Sequence, residues 1–348
     1  SSSDPARGKL QMPSQPLHCA EQRTAISLQA RWVIFALLPT YLGMSCDRDL
    51  GWLRWSGPSG AHYDSDFLRG AKQNYSEFSV EERRAFIAER SWVHDMSHLA
   101  FILEFDGVKP GIWRTWDHVE LFDQSWLQTK EADFLKRVLP RGALQGARFL
   151  DVGALIGFYS FYAEFVGKAA HVTSLDYCCW GGHETNADGS WVHCCGTKSD
   201  SAEGEHHGEN FRFAHAAFDS RAAAVRLSVY DLHPSLLPSP GIYDVVFFSG
   251  VLYHLKHPLL GLERLKTVCR PGGLVIIEGY VQKVESQDLS FPIVELGGRP
   301  PPIMLFLPSR ELNDDPTNWV AMSREAHEAM FVAAGLRDCR VVATVSVF

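Results

Sequence analysis

The stretch that most constrains the fold is a ten-residue run that passes from an apolar segment into two glycines. Residues 148–157 read Arg-Phe-Leu-Asp-Val-Gly-Ala-Leu-Ile-Gly. The apolar part predicts a buried strand, and Gly153 and Gly157 predict a turn where a cofactor can touch the backbone, because glycine has no Cβ. The spacing is looser than the dinucleotide fingerprint Gly-x-Gly-x-x-Gly, which argues against a pyrophosphate ligand. An ordinary strand-to-helix turn is the alternative interpretation.

Further apolar runs predict a parallel sheet. His171–Asp176 reads as a second strand, and its last residue lies roughly 20 residues after the glycines, the offset at which a carboxylate holds a ribose diol. Asp176 is therefore a candidate ribose ligand, with a solvated loop aspartate as the alternative. Three more runs alternate with helical stretches and predict an α/β fold with helices on both faces of the sheet: 223–228, 243–250 and 273–278.

These residues make a family resemblance visible. The chain resembles Rossmann-like class I S-adenosylmethionine-dependent methyltransferases through Leu150–Gly153, Gly157, Asp176 and the turn Arg270–Gly273. Within that superfamily, Ser249–Leu259 is similar to the corresponding stretch of the tRNA wobble-uridine carboxymethyltransferases and their small-molecule relatives. Two further stretches agree with the resemblance, which covers residues 80 to 347: 106–111 and 315–319.

The resemblance implies a role for each matching residue. Asp151 is expected to orient the loop amides and the amino group of the methionine moiety, and Asp176 to bind the ribose. The complete set of implied cofactor-binding residues is Asp151, Gly153, Ala154, Gly157, Asp176, Tyr177, Tyr230, Asp231, Ser249 and Gly250. Tyr230 or Asp231 would line the adenine pocket, although Tyr230 fits equally as a core aromatic residue.

The resemblance also implies the residues that meet the acceptor. Tyr253 would face the sulfonium and the transferring methyl group, and Tyr253 and His254 would contact the acceptor. His254 could take a proton from the acceptor, since its ordinary pKa lies near neutrality, and Glu278 is the alternative base. A structural hydrogen bond for His254 and a solvated strand-end carboxylate for Glu278 remain open. No metal is expected in the site.

Departures from the wobble-uridine enzymes bear on the cofactor. Those enzymes use a carboxylated cofactor, and the resemblance implies a lysine upstream of the core and an arginine near the chain end that bind its extra carboxylate. Here the upstream segment, 111–116, has no lysine, and no counterpart of the arginine precedes Phe348. Because a buried carboxylate without a cationic partner is costly, ordinary S-adenosylmethionine is the predicted cofactor.

Charge bears on the acceptor. The chain has 33 Lys plus Arg against 41 Asp plus Glu, a formal net charge of −8, whereas binding to RNA requires a basic surface. The basic residues Lys130, Lys136, Arg137 and Arg141 read most simply as a solvated helix face. The prediction is a cytoplasmic methyltransferase that acts on a small molecule. The alternatives are an RNA-modifying methyltransferase specific for a wobble uridine and a non-catalytic S-adenosylmethionine-binding protein.

Three regions are expected along the chain: a flexible N-terminus at 1–19, an N-terminal cap at 20–140 and the catalytic domain at 141–348. In the cap, the apolar stretch from Trp32 to Met44, about 13 residues, is too short to span a bilayer and is predicted as a buried helix. A helix over 81–95, a hairpin around 99–107 and an aromatic wall of Trp113, Trp116 and Trp126 complete the expected cap.

The sheet edge raises a separate expectation. Class I sheets end in an antiparallel hairpin, but only one strand-like run follows the helix predicted at 324–334. The segment around Val33 to Leu38, or a partner subunit in a homodimer, is therefore predicted to cover the edge, because an exposed sheet edge promotes aggregation.

Eight cysteines include two adjacent pairs, Cys178-Cys179 and Cys194-Cys195. Zinc ligands usually come as Cys-x2-Cys, which argues against a metal site. A cysteine-rich lid that is reduced in the cytosol and a disulfide in a secreted protein both remain open. Residues 177–210, rich in glycine and polar residues, are predicted to form a mobile loop.

Overall fold

A central sheet contains seven strands that lie side by side, each hydrogen-bonded to its neighbours. The computed structural model describes residues 135–180, 203–217, 220–238, 241–283, 300–312 and 315–346, the strand segments 30–37, 184–185 and 191–192, and four single residues between 68 and 85. The strands of this order are β1 Ala30–Leu37, β2 Arg148–Val152, β3 His171–Asp176, β6 Ala223–Arg226, β7 Tyr243–Ser249, β8 Cys269–Gln282 and β11 Cys339–Ser346. Their order across the sheet is β11-β1-β8-β7-β2-β3-β6, and β2, β3, β6, β7 and β8 pair in parallel.

Shorter elements surround this sheet. The helices are α1 Phe158–Phe161, which continues as a π-helical turn over Tyr162–Val166, α2 Glu203–Ala217, α3 Pro258–Val268 and α4 Arg324–Ala333. Single 3-10 turns lie at Cys178–Trp180, Val229–Asp231, Pro234–Leu236 and Leu252–His254. A two-stranded hairpin pairs β4 Glu184–Thr185 with β5 Trp191–Val192. The strand β10 Val320–Met322 joins β8 in parallel and pairs on its other side with β9 Met304–Phe306.

Two hydrophobic layers cover the sheet because successive strand side chains point to opposite faces. On one face, Leu150 of β2 packs with Leu262 of α3 and Phe331 of α4. On the other, Phe149 and Phe247 face Tyr162, and the two phenylalanine ring centroids lie 6.1 Å apart. The predicted α/β sheet with helices on both faces is confirmed.

The N-terminal strand β1 takes the place in the sheet where the second strand of a C-terminal hairpin was expected. It lies antiparallel between β8 and β11, with Val33 beside Gly279 on one side and Thr344 on the other. The prediction that the chain's own N-terminal segment covers this edge is confirmed, and one strand, β11, follows α4 within the described residues up to 346. The prediction of a buried helix in the same segment is wrong. The run is rich in β-branched and aromatic residues, which fit a paired strand, and a short apolar run does not separate strand from helix by its periodicity.

Two other expectations need correction or refinement. The predicted loop over 177–210 is wrong at both ends, since a 3-10 turn occupies Cys178–Trp180 and α2 begins at Glu203. The predicted turn Arg270–Gly273 forms a bulge inside β8, where the register moves from Tyr243–Cys269 to Val245–Leu274.

In the cap region, Ser79 and Glu82 exchange hydrogen bonds of 2.8 and 3.2 Å. Reciprocal bonds of this kind are typical of a helix N-terminus. The rest of the 81–95 helix, the hairpin around 99–107 and the tryptophan wall lie outside the described residues, as does the 1–19 segment.

Within the described part of the chain, no helix is long and apolar enough to cross a membrane. The same residues contain no group of three His, Cys, Asp or Glu side chains arranged to hold a metal ion.

Candidate active site

Backbone contacts from β3 shape the loop between β2 and α1. The amides of Gly153 and Ala154 donate to the Leu175 carbonyl at 2.8 and 3.0 Å, and the amide of Leu155 donates to Asp176 Oδ2 at 2.9 Å. Gly153, Leu155 and Gly157 have φ angles of 82°, 52° and 85°, in the left-handed region that favours glycine. The loop is therefore a strained turn that β3 holds in place.

The two loop glycines also meet a packing requirement. A Cβ on Gly153 would lie 2.3 Å from Val251 Cγ2, and a Cβ on Gly157 would lie 2.6 Å from Phe161 and 2.7 Å from Phe211. Sequence reasoning assigned these glycines to the approach of a cofactor, and the structure adds that the protein's own side chains need the space. The glycine loop thus touches Val251, in the segment that follows β7.

Asp176 is a buried carboxylate at the end of β3, only 5% exposed. Its Oδ2 accepts from Leu155, and its Oδ1 accepts from the Cys179 amide at 3.0 Å. Burial raises the pKa of Asp176 to about 6, against the lowering effect of these backbone hydrogen bonds. The alternative of a solvated loop aspartate is wrong. Each carboxylate oxygen has two acceptor sites, so a ribose hydroxyl would be an additional donor.

The turn after Asp176 links back to the glycine loop through a residue that sequence reasoning did not identify. Trp180 is buried, and its Nε1 donates to the Leu155 carbonyl at 2.6 Å, while its ring lies 4.4 Å from the Phe211 ring. Tyr177 is half-buried at the start of this turn. Cys178 and Cys179 are disulfide-bonded, which corresponds to the disulfide alternative of the sequence analysis.

Asp151 lies at the base of the loop and is 2% exposed. Ser160 of α1 donates its hydroxyl to Asp151 Oδ2 at 2.7 Å, and Ser174 of β3 donates to Ser160 at the same distance. This chain of hydrogen bonds fixes the carboxylate beside the loop. The two serines were not predicted, and their only signal in the sequence is a small polar residue within an otherwise apolar run.

The turn Val229–Asp231, after β6, holds the two residues expected at the adenine. The Ser228 side chain caps this turn by accepting from the Tyr230 amide at 3.3 Å. The Tyr230 hydroxyl accepts from the His257 amide at 3.0 Å, so Tyr230 has a structural role in tying two loops together. Asp231 is half-buried, and burial raises its pKa while Arg264 opposes the shift.

A second group of side chains surrounds Gly250, where β7 ends. Ser249 pairs in register with Glu278 of β8, and its hydroxyl donates to Glu278 Oε2 at 2.8 Å. Gly250 has a φ of 68°, and a Cβ placed on it would lie 3.7 Å from the Tyr253 hydroxyl and 3.9 Å from Glu278 Oε2. The hydroxyl and the carboxylate therefore border the same small space in front of Gly250.

Tyr253 remains a neutral hydroxyl donor in this position. Burial raises its pKa well above the ordinary value, and the carboxylates of Glu278 and Asp315 raise it further.

His254 is held by a hydrogen-bonded chain that ends at Asp315. Its Nδ1 lies 3.0 Å from the Thr317 carbonyl oxygen and 3.1 Å from Thr317 Oγ1, and Thr317 Oγ1 donates to Asp315 Oδ1 at 2.6 Å. A carbonyl can only accept, and the threonine proton is already donated to Asp315, so Nδ1 must carry the imidazole proton. This tautomer leaves a lone pair on Nε2.

The charge state of His254 agrees with that tautomer. Burial lowers its pKa, although the Thr317 carbonyl and Asp315 act in the opposite direction. The imidazole is neutral at physiological pH, and both the structural and the basic interpretations of His254 are consistent with this geometry.

Aromatic side chains extend the site outwards from Tyr253. The Trp319 amide donates to the Tyr253 carbonyl at 2.9 Å, the Trp319 ring stacks on Phe306 with centroids 6.0 Å apart, and Lys256 Nζ lies 4.7 Å from the Trp319 ring centroid. The stretch 315–319 was one of two that agreed with the family resemblance, but its contacts with Tyr253 and His254 were not predicted.

The fold and the site together define a class of protein. A parallel sheet with a glycine turn after its first parallel strand and a buried carboxylate after the second is a Rossmann-like enzyme fold that binds a nucleotide-type cofactor at the carboxyl ends of its strands. A methyltransferase domain family matches residues 124–337. The chain belongs to this family, and its fold is that of a class I S-adenosylmethionine-dependent methyltransferase.

Curated relatives match over shorter stretches. A tRNA U34 carboxymethyltransferase of Mannheimia succiniciproducens is 35% identical over 74 residues, 21% of this chain and 22% of the relative. One of Azotobacter vinelandii is 29% identical over 146 residues, 42% of this chain and 36% of the relative. The matches thus span well under half of each relative's length.

Among solved structures, the chain is similar to the N-terminal domain of EvdMO1, which was determined in the presence of SAH and D-fucose. It is 16% identical, with a TM-score of 0.40, and the match covers 73% of this chain and 84% of that one. A SAM-dependent methyltransferase from Aquifex aeolicus is 19% identical, with a TM-score of 0.33 and coverage of 63% and 86%.

Proposed function

We propose that this chain transfers a methyl group from S-adenosylmethionine to a small-molecule acceptor. When bound, the cofactor supplies an electrophilic methyl group on a positively charged sulfur. Asp176 would accept hydrogen bonds from the ribose, and the turn at Tyr230 and Asp231 would border the adenine. The space in front of Gly250, lined by Tyr253 and Glu278, would receive the reacting end of the cofactor. A buried carboxylate and an open glycine face are chemically suited to these groups.

One observation carries this proposal. Gly153, in the loop that would hold the methionine moiety, packs so closely on Val251 that a Cβ would lie 2.3 Å from it. Val251 precedes the turn that carries Tyr253 and His254. The cofactor loop and the proposed acceptor side chains are therefore neighbours, and methyl transfer depends mainly on holding the two reactants in line and close together.

His254 is the proposed base for the acceptor. Its neutral imidazole has a lone pair on Nε2, because Thr317 accepts the proton of Nδ1. A base with this protonation state at neutral pH can accept a proton from a hydroxyl or an amine. Asp315 and Thr317 would act as positioning residues that keep the imidazole in this orientation.

The small-molecule part of the proposal is supported by charge. The net charge is −8, and two carboxylates, Glu278 and Asp315, act on Tyr253. Phosphate-bearing substrates favour sites of the opposite sign. An RNA acceptor is the second candidate, supported by the names of the curated relatives.

Label transfer distinguishes these functions. The protein is incubated with S-adenosylmethionine bearing a deuterated methyl group, and separately with a cellular small-molecule fraction or total tRNA. The Asp176→Ala variant is the negative control, and Asp338→Asn, on an exposed turn, is the matched control. Mass spectrometry should find label in the small-molecule fraction with the wild type and with Asp338→Asn. Label in tRNA instead would establish the RNA function, and cofactor binding without any label transfer would support a non-catalytic protein.

A further inference from the structure

Glu278 is the described carboxylate nearest to the proposed methyl-transfer position. The Ser249 hydroxyl fixes its Oε2 at 2.8 Å, and β8 holds its backbone, since the Glu278 carbonyl accepts from the Gly250 amide at 3.2 Å. A Cβ on Gly250 would lie 3.9 Å from Glu278 Oε2. The Ser249 hydroxyl and the strand backbone thus hold the Glu278 carboxylate in place. The carboxylate borders the space in front of Gly250, which could hold a small chemical group.

We propose that Glu278 makes the methyl-transfer position selective for positive charge, so that the acceptor presented there is an amine that arrives as an ammonium ion. An ammonium nitrogen has no lone pair, so it would first give one proton to His254 Nε2, the base proposed above. The neutral amine nitrogen would then bond to the methyl carbon as the carbon–sulfur bond breaks, and S-adenosylhomocysteine would leave. This inference rests on the proposed function, and it adds the chemical class of the acceptor. A carboxylate that is held in place attracts an ammonium group through a charge-assisted hydrogen bond and repels a carboxylate or a phosphate.

The neighbouring hydroxyl agrees with this selectivity. The Tyr253 hydroxyl would also lie 3.7 Å from a Cβ on Gly250, and the negative charge of Glu278 contributes to the raised pKa of Tyr253. A phenol in this state donates a hydrogen bond and adds no negative charge. An anionic group on the methyl carbon would have the Tyr253 hydroxyl as a donor but would lie beside the Glu278 carboxylate, which disfavours a carboxylated cofactor.

Calorimetric titration with two cofactor analogues tests the charge preference directly. Sinefungin carries an amine-bearing carbon where the cofactor has its sulfonium and methyl group, whereas S-adenosylhomocysteine is neutral there. Sinefungin should bind the wild type about tenfold more tightly, the size of one charge-assisted hydrogen bond. Glu278→Gln should bring the two affinities together, while Glu328→Gln, which removes one charge from the surface of α4, should retain the preference.

The outcomes separate this inference from the function on which it rests. If neither analogue binds folded protein, the proposed function fails. If both bind but sinefungin is no tighter, or if its preference survives Glu278→Gln, the cation-selective position is overturned. A cofactor with a carboxylated methyl group should bind the wild type more weakly than S-adenosylmethionine, and Glu278→Gln should narrow that difference.

The methylated product gives an independent readout. The labelled product of the transfer experiment should carry its methyl group on nitrogen, which tandem mass spectrometry can establish. A labelled methyl group on oxygen, sulfur or carbon would overturn the amine assignment even if the sinefungin preference is found.

Discussion

The ionised form of Asp176 destabilises the folded state, because the carboxylate is buried. Burial raises its pKa to about 6, above the ordinary value for an aspartate, so the folded chain binds this proton more tightly than the unfolded chain. The associated stabilisation is fully present below about pH 3.8 and is lost as the pH rises through 6. At neutral pH the ionised carboxylate therefore costs on the order of 3 kcal/mol. A costly ionised group at the end of a strand is expected where a ligand needs it.

The Asp176→Asn variant should accordingly separate stability from binding. Its free energy of unfolding at pH 7, measured in urea, should stay close to that of the wild type. Removal of the buried charge stabilises the variant, but asparagine has one acceptor oxygen and loses one of the two backbone hydrogen bonds. Its affinity for S-adenosylhomocysteine should fall by about tenfold or more, since a charged acceptor for the ribose is lost. Asp338→Asn serves as the control. Unchanged affinity in Asp176→Asn would remove Asp176 from the cofactor site.

His327 should make the fold sensitive to acid. The side chain is buried, its Nδ1 lies 2.9 Å from the Ser323 carbonyl, and burial lowers its pKa to about 4. The unfolded chain takes up this proton near pH 6.5 but the folded chain does not, so stability present above pH 6.5 is lost as the pH falls towards 4. The loss is on the order of 3 kcal/mol.

Asp176 changes the stability with pH in the opposite direction over part of this range. The test therefore compares the pH dependence of stability in the wild type with that in a variant that lacks His327. Unfolding in urea is measured at several pH values for the wild type and for His327→Gln. The wild type should lose stability more steeply between pH 6.5 and 4. Parallel curves would contradict the assignment.

Thr317 should control the reactivity of His254 without touching the acceptor. Thr317→Val keeps the carbonyl but removes the Oγ1 that accepts from Nδ1 and donates to Asp315. The transfer rate should fall by roughly tenfold, and the pH profile of the rate should shift, because the imidazole keeps only the Thr317 carbonyl as a partner and loses its hydrogen-bonded link to the Asp315 carboxylate. Thr317→Ser, which retains the hydroxyl, should restore both. A rate loss with an unchanged pH profile would indicate a merely structural role.

At the scale of elements, β1 should be indispensable for the sheet. It pairs with β8 from Ala30 to Leu37 and with β11 from Arg31 to Leu37, so Val33 lies between two paired strands. Val33→Pro removes one donor and leaves a carbonyl without its partner, which should lower the free energy of unfolding by about 2 kcal/mol or more. Val33→Thr retains the backbone donor and the β-branched shape and is the matched control. Equal stability of the two variants would show that β1 does not hold this position.

The elements also show which features a sequence can reveal. The strands β2, β3, β7 and β8 are buried on both faces, so their apolar runs are continuous, and Asp176 at the end of β3 could be predicted. The expectation that Glu278 ends its strand is wrong, because β8 continues to Gln282. The N-terminal strand was misread as a helix because its conformation depends on β8 and β11, which lie more than 200 residues further along the chain.

The missed site contacts have the same cause. Trp180 and Leu155 are 25 residues apart in the sequence, and Thr317 and His254 are 63 apart, so the tertiary fold brings each pair together. No local pattern marks such pairs, although the resemblance of the 315–319 stretch indicated that this segment matters.

At the scale of the whole molecule, the sheet brings two groups of side chains together. One group, around Asp151, Asp176 and the glycine loop, would hold the cofactor, and the other, around Tyr253, His254 and Glu278, would hold the acceptor. Gly153 and Val251 join the two groups. The net charge of −8 and the carboxylates near Tyr253 favour a small, positively charged acceptor over an RNA.

The most direct test of this account is calorimetric titration of the folded wild type with S-adenosylmethionine and S-adenosylhomocysteine, with Asp176→Ala measured alongside. The account predicts saturable binding of both ligands at one site and a clear loss of affinity in the variant. Absence of binding to folded wild-type protein would contradict the methyltransferase function and every role assigned to the glycine loop.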